Sequence, residues 1–212
     1  MTAYVRDAAA LARKDVLLEL RGRDTLPAMA IFVVAMLVAF RFALTGEQSE
    51  AAQGLLWVAI LFTALLGLGR AFVAEREQGV MDGLVLAPCD RSAIWLAKLL
   101  ATLAFLVLVE LIALPAFAIF FAGLDAAALA AVLLADVGIC AVGTLVAAMA
   151  VAGRARELLL PLLFLPLAIP ILVGGVGATV AAEPARYLGF LALYDAVFAI
   201  LAWATFEYVV TE

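Results

Sequence analysis

Six apolar stretches of roughly twenty residues follow one another, all but the second and third joined by short connections, and this spacing decides the fold class. They run 26–44 (with Arg41), 51–69, 99–121 (with Glu110), 126–152 (with Asp136), 158–182 and 187–206 (with Asp195). About twenty apolar residues, rising 1.5 Å each, cross a hydrocarbon core of about 30 Å. Backbone groups in lipid need internal partners, and the alternation of a membrane barrel is absent, so each stretch is predicted to be a helix. The composition agrees: 68% of the 212 residues are hydrophobic and 15% are charged, where a soluble domain carries about 25% charged residues. The expected architecture is an all-α membrane protein with six transmembrane helices. An amphipathic segment, 1–25, precedes a permease body, 26–212.

The basic residues orient the spans. Arg6, Arg13, Lys14, Arg21 and Arg23 precede the first, and Arg70, Arg76, Arg91 and Lys98 lie around the connection between the second and third. Arg154 and Arg156 sit between the fourth and fifth, leaving Arg41 and Arg186 for the opposite side. Both termini are therefore expected in the cytoplasm. The charged, amphipathic start argues against a cleaved signal peptide.

Several function classes drop out. A net charge of −5 offers no basic face to nucleic acid. With no histidine, the chain supplies no His general base and no His ligand to a metal or haem. Cys89 and Cys140 are far apart and match no metal spacing, and no Walker loop is present. No residue is expected to be catalytic and none to hold a metal.

In the opening segment, Tyr4, Ala8, Leu11 and Leu18 share one helical face, opposite Arg6, Asp7, Arg13 and Lys14. Such a helix is expected to lie in the membrane interface with its basic side toward headgroups. Asp15 and Glu19 intrude on the apolar side. Gly22 and Pro27 then supply a bend.

The longest connection, 75–98, reads EREQGVMDGLVLAPCDRSAIWLAK and is too apolar for a plain loop. As a helix it aligns Val80, Met81, Leu84 and Val85. Pro88 stops it, and Asp90 or Ser92 can cap the helix that enters the membrane through Trp95 and Lys98. A short amphipathic helix of this kind can seat in a groove on a partner protein or lie flat on lipid. The acidic lead-in Glu75-Arg76-Glu77 favours a protein partner. Arg154 and Arg156 offer a second contact, or an ordinary positive-inside loop.

Glu110, Asp136 and Asp195 are costly within a membrane and are expected to face the bundle interior or a cavity. They can relay protons, line a substrate path, or hydrogen-bond helices together in protonated form. Arg41 is expected to snorkel to the interface. Pro161, Pro166 and Pro170, followed by Gly174, Gly175 and Gly177, suit either a kinked moving helix or close static packing.

The layout of an interfacial helix, six spans and a cytoplasmic amphipathic helix resembles permeases of the ABC type-2 exporter superfamily. GLLWVAI (54–60), LGR (68–70), AFVAEREQGVMDGLVLAP (71–88) and DRSAIWLAKLL (90–100) resemble the haem exporter protein B (CcmB) family of cytochrome c maturation. RARELLLPLLFLPLAIPIL (154–172) and YDAVFAILAWATFEYVV (194–210) extend the resemblance over nearly the whole chain.

The resemblance implies a membrane subunit of the cell inner membrane with haem as the cargo of its complex and ATP bound by a separate CcmA-like subunit. CcmC-, CcmD- and CcmE-like proteins are the implied further partners, and two copies of the chain would pair within the complex. It also implies that Glu75, Arg76, Glu77, Gly79, Asp82, Gly83 and Leu84 receive the ATPase movement, with Arg154 and Arg156 as a weaker second contact. It singles out no haem-binding residue. A permease for another amphiphile, or a proton-coupled carrier using Glu110 and Asp136, remains an alternative reading of the residues themselves.

Overall fold

The computed structural model describes residues 2–22, 25–44, 49–72, 90–121, 123–152 and 156–211. These form seven helices: α1 (Thr2–Gly22), α2 (Thr25–Ala43), α3 (Ser49–Arg70), α4 (Arg91–Phe120), α5 (Ala126–Ala152), α6 (Arg156–Val180) and α7 (Pro184–Thr211). Helices α2 to α7 are each long and apolar enough to cross a membrane, so the chain is a multi-pass, all-α membrane protein. No strand occurs among the described residues.

Helix α5 is the hub. Two thirds of its span (67%) is buried inside the protein, against 22% for α7 at the periphery. Its sequence explains the position, because alanines and glycines along α5 let neighbouring helices approach closely. Leu68 of α3 packs onto Gly143, and Asp195 of α7 packs onto Gly138. Asp125 starts α5 by accepting the Ala128 amide at 2.7 Å.

The three prolines of α6 do not break it, since one helix runs from Arg156 to Val180. Pro170 has no N–H to give the Pro166 carbonyl, which loosens that turn. At the neighbouring carbonyl, of Leu167, the Tyr194 hydroxyl donates a hydrogen bond of 2.6 Å. The glycines of α6 serve close packing. A Cβ at Gly175 would lie 2.6 Å from the Trp57 ring and one at Gly174 2.8 Å from Leu191, while Tyr187 covers Gly177. Trp57 completes this contact by donating to Thr179 Oγ1 at 3.3 Å.

Helix α4 begins earlier than its apolar stretch suggests, at Arg91. Asp90 caps it by accepting from the Ser92 amide (3.0 Å) and hydroxyl (2.7 Å). The Ser92 hydroxyl also lies 3.3 Å from the Tyr4 hydroxyl of α1, and Arg91 pairs with Glu207 of α7 at 3.1 Å. Helix α1, the start of α4 and the end of α7 therefore gather at one end of the bundle, here termed the α1 end. The short turns before α5 and α7 lie at the far end.

Candidate functional site

Two groups of polar side chains stand out from the apolar bundle, one at the α1 end and one at mid-depth. The first is built on a stripe of α1. Tyr4, Ala8, Leu11, Asp15 and Glu19 recur at spacings of three and four, so they share one helical face. Ala8 is fully buried and Leu11 packs on the core, but Leu18, expected on this face, is exposed. Asp15 and Glu19 continue the stripe because each meets a partner there. Asp15 Oδ2 pairs with Lys98 Nζ of α4 at 3.0 Å, with both side chains almost wholly enclosed, and Lys14 adds a contact to Asp15 Oδ1 at 2.9 Å. Glu19 Oε1 accepts the amides of Thr25 (2.6 Å) and Leu26 (2.9 Å), satisfying donors at the start of α2.

The Lys98 ammonium also stands 5.1 Å from the centroid of the Phe72 ring. Phe72 is the last described residue before 73–89, and Asp90 is the first after it. Lys98 thus fastens the chain entering that segment (Phe72) to the helix leaving it (α4) and to α1. The expected coupling residues Glu75, Arg76, Glu77, Gly79, Asp82, Gly83 and Leu84 lie outside the described residues, as do Cys89 and Arg154. Arg156 begins α6.

The second group comprises the three intramembrane acids. Asp136 stands ten residues from the far end of α5, Glu110 ten from the far end of α4, and Asp195 eleven from the far end of α7. At 1.5 Å per residue this is about 15–16 Å along each helix, roughly halfway across a core of about 30 Å. The structure brings Glu110 and Asp136 together, carboxyl against carboxyl, with the buried Cys140 thiol one turn along α5. Asp136 is completely enclosed and Glu110 nearly so. Among the described residues, both Asp136 oxygens and Glu110 Oε1 lack a hydrogen-bond partner.

Asp195 is placed apart from that pair. Positions 136 and 138 differ by about 200° around a helix, and Asp195 rests on Gly138, so α5 stands between the two sites. Asp195 is also buried, and neither of its oxygens has a hydrogen-bond partner among the described residues. Arg41 is exposed at the far end of α2. Cys140 packs as a small buried residue. Among the described residues no cluster of His, Cys, Asp and Glu could hold a metal ion.

The family described as CcmB protein matches residues 6–209. This chain belongs to the CcmB family. It is 35% identical over 176 residues to heme exporter protein B of Pseudomonas aeruginosa, covering 79% of this chain and 78% of that one. The protein of the same name from Rhodobacter capsulatus is 35% identical over 173 residues (78% and 79% of the two chains). The one from Bradyrhizobium diazoefficiens is 30% identical over 180 residues (82% and 81%). The CcmB match runs through both polar groups, from the α1 stripe to Asp195.

Neither the Lys98–Asp15 pair nor the meeting of Glu110 with Asp136 was foreseen from the sequence. Asp15 carried a signal, as an acid at an apolar position of a helical face. Glu110 and Asp136 carried another, being nearly equidistant from the turn that joins their helices.

Proposed function

We propose that this chain is the non-catalytic membrane subunit of an ABC-type complex handling haem for c-type cytochrome biogenesis. The observation that carries the reading is the CcmB match over 6–209 together with relatives named for heme export. In this reading the protein lies in the bacterial inner membrane with its α1 end, and so both termini, in the cytoplasm. The excess of Lys and Arg in the segments at that end supports the orientation. Helix α1 lies along the cytoplasmic interface, its exposed Arg6 and Arg13 toward headgroups.

ATP is bound and hydrolysed by a separate CcmA-like subunit, and two copies of this chain form the membrane core. Residues 75–98 form the coupling segment, with Glu75, Arg76, Glu77, Gly79, Asp82, Gly83 and Leu84 against the ATPase and Arg154 and Arg156 as a second contact. A conformational change needs a difference in interaction energy between two states, and nucleotide binding supplies it through this contact. The fastening of Phe72, α4 and α1 at Lys98 supports the proposal: a displacement of 73–89 pulls on Phe72 and α4 together, and Asp15 hands it to α1. Glu19 then links α1 to the start of α2. The movement serves haem translocation, or release of haem-loaded CcmE-like chaperone from CcmC- and CcmD-like partners.

Depleting the protein in its native host and staining c-type cytochromes for covalent haem tests this reading. Loss of the haem signal, restored by the intact gene, is the expected result. An unchanged signal refutes a role in cytochrome maturation.

A further inference from the structure

We propose that Glu110 and Asp136 together form a proton-binding site at the middle of the membrane, one proton being held between the two carboxyl groups. The inference rests on the geometry of the pair and does not depend on the identity of the cargo. Asp136 is wholly enclosed, neither of its oxygens has a hydrogen-bond donor among the described residues, and what it faces is a second carboxyl. Two acceptors placed face to face in hydrocarbon repel as a pair of anions. A carboxylic O–H on one of them supplies the missing donor.

The surroundings leave few other ways to satisfy the pair. On α5 the neighbouring titratable group is Cys140, a weak donor. Helix α3 contributes Thr63, whose hydroxyl donates to its own Ala59 carbonyl at 2.6 Å. Helix α7 contributes Tyr194, whose hydroxyl is engaged by Leu167, and Asp195, which sits against Gly138. The membrane-embedded length of α6 carries no acid or base. On α2, Arg41 is exposed at the far end, and on α4 itself Lys98 is held by Asp15, twelve residues from Glu110. A metal cation would need a shell of several oxygens, and among the described residues no group of three or more His, Cys, Asp or Glu side chains gathers here.

A proton here has a structural consequence. While it is bound, α4 and α5 meet through an O–H···O contact; when it leaves, two like charges face each other and the helices are driven apart. The site therefore senses the separation of α4 from α5, and α4 also carries Lys98 at its α1 end.

The full-length protein, purified with whatever partners accompany it and placed in lipid nanodiscs, can be examined by infrared spectroscopy. A protonated carboxyl has a C=O band that moves when H is exchanged for D. The expected result at neutral pH is such a band in the wild type and in Asp195→Asn, and its loss in the isosteric Glu110→Gln/Asp136→Asn double variant. If the double variant yields no protein, Asp136→Asn alone is read instead, and the band must shift because Glu110 then faces an amide. A band unaltered by these substitutions overturns the proposal. So does a band lost only in Asp195→Asn, or one that appears only when sodium is withdrawn, which would make a metal ion the occupant.

Discussion

Lys98 and Glu110 are twelve residues apart on one helix, and their surroundings differ in kind. The Lys98 ammonium meets Asp15 at 3.0 Å and the face of Phe72, and the acid one turn further along α1, Glu19, accepts two backbone amides. Glu110 faces another carboxyl, and among the described residues its Oε1 has no hydrogen-bond partner. Buried charge at the α1 end is matched with fixed partners, which suits a joint that must transmit movement without slack. At mid-depth it is left incomplete, which suits a site whose partner comes and goes.

This contrast predicts a graded response to substitution. Removing one member of a buried pair costs about 3–5 kcal/mol, and because Lys14 still lies 2.9 Å from Asp15 the cost here falls at the low end of that range. Lys98→Met should therefore destabilise the protein most, as read by unfolding in mixed micelles. Asp15→Asn combined with Lys98→Met should regain most of that loss, because no orphan charge remains. A double variant as unstable as Lys98→Met would show that the pair is not what the lysine contributes.

Glu19→Ala removes the acceptor from the first amides of α2 and should cost about 0.5–2 kcal/mol, as loss of a helix cap does. Amide exchange at Thr25 and Leu26 should quicken in the same variant. Unaltered exchange there would mean that the carboxylate is not holding the start of α2. At mid-depth, Glu110→Gln/Asp136→Asn replaces both partners by groups of the same shape, and the change should stay under about 1 kcal/mol. A loss as large as that of Lys98→Met would erase the distinction between the two regions. Smallest of all is Arg91→Ala, since its pair with Glu207 is partly solvated and such pairs contribute about 0–1 kcal/mol. Its effect should shrink further in high salt.

The frame of the fold was legible because lipid leaves few choices. The fourth apolar stretch coincides residue for residue with α5, and of the two caps the sequence offers for α4, Asp90 or Ser92, it is Asp90 that accepts the amide. Helix α4 extends ahead of its apolar stretch to the Asp90 cap, and the charge of Lys98 just before that stretch is met by Asp15. The proline–glycine run of α6 was compatible with a moving kink or with close packing. The rings of Trp57 and Tyr187 seated on Gly175 and Gly177 give it the packing role.

What periodicity alone does not reveal is the mating of distant residues. Asp15 and Lys98 lie in α1 and α4 with two helices, α2 and α3, between them in the chain, so Asp15 reads as an intrusion on an apolar face and Lys98 as the point where its helix enters the membrane. Glu110 and Asp136 were visible as buried acids, but their meeting depended on the register of the α4–α5 hairpin. The residues proposed for coupling, within 75–84, lie outside the described residues, and the proposal for them rests on the resemblance and on the contacts of Phe72 and Lys98.

The most direct test of the account is to reverse the acidic lead-in with Glu75→Lys/Glu77→Lys and measure ATP hydrolysis by the assembled complex alongside covalent haem on the host's c-type cytochromes. If movement enters the bundle through this segment, hydrolysis should continue while the haem signal is lost. Hydrolysis and haem signal both at wild-type levels would contradict the account.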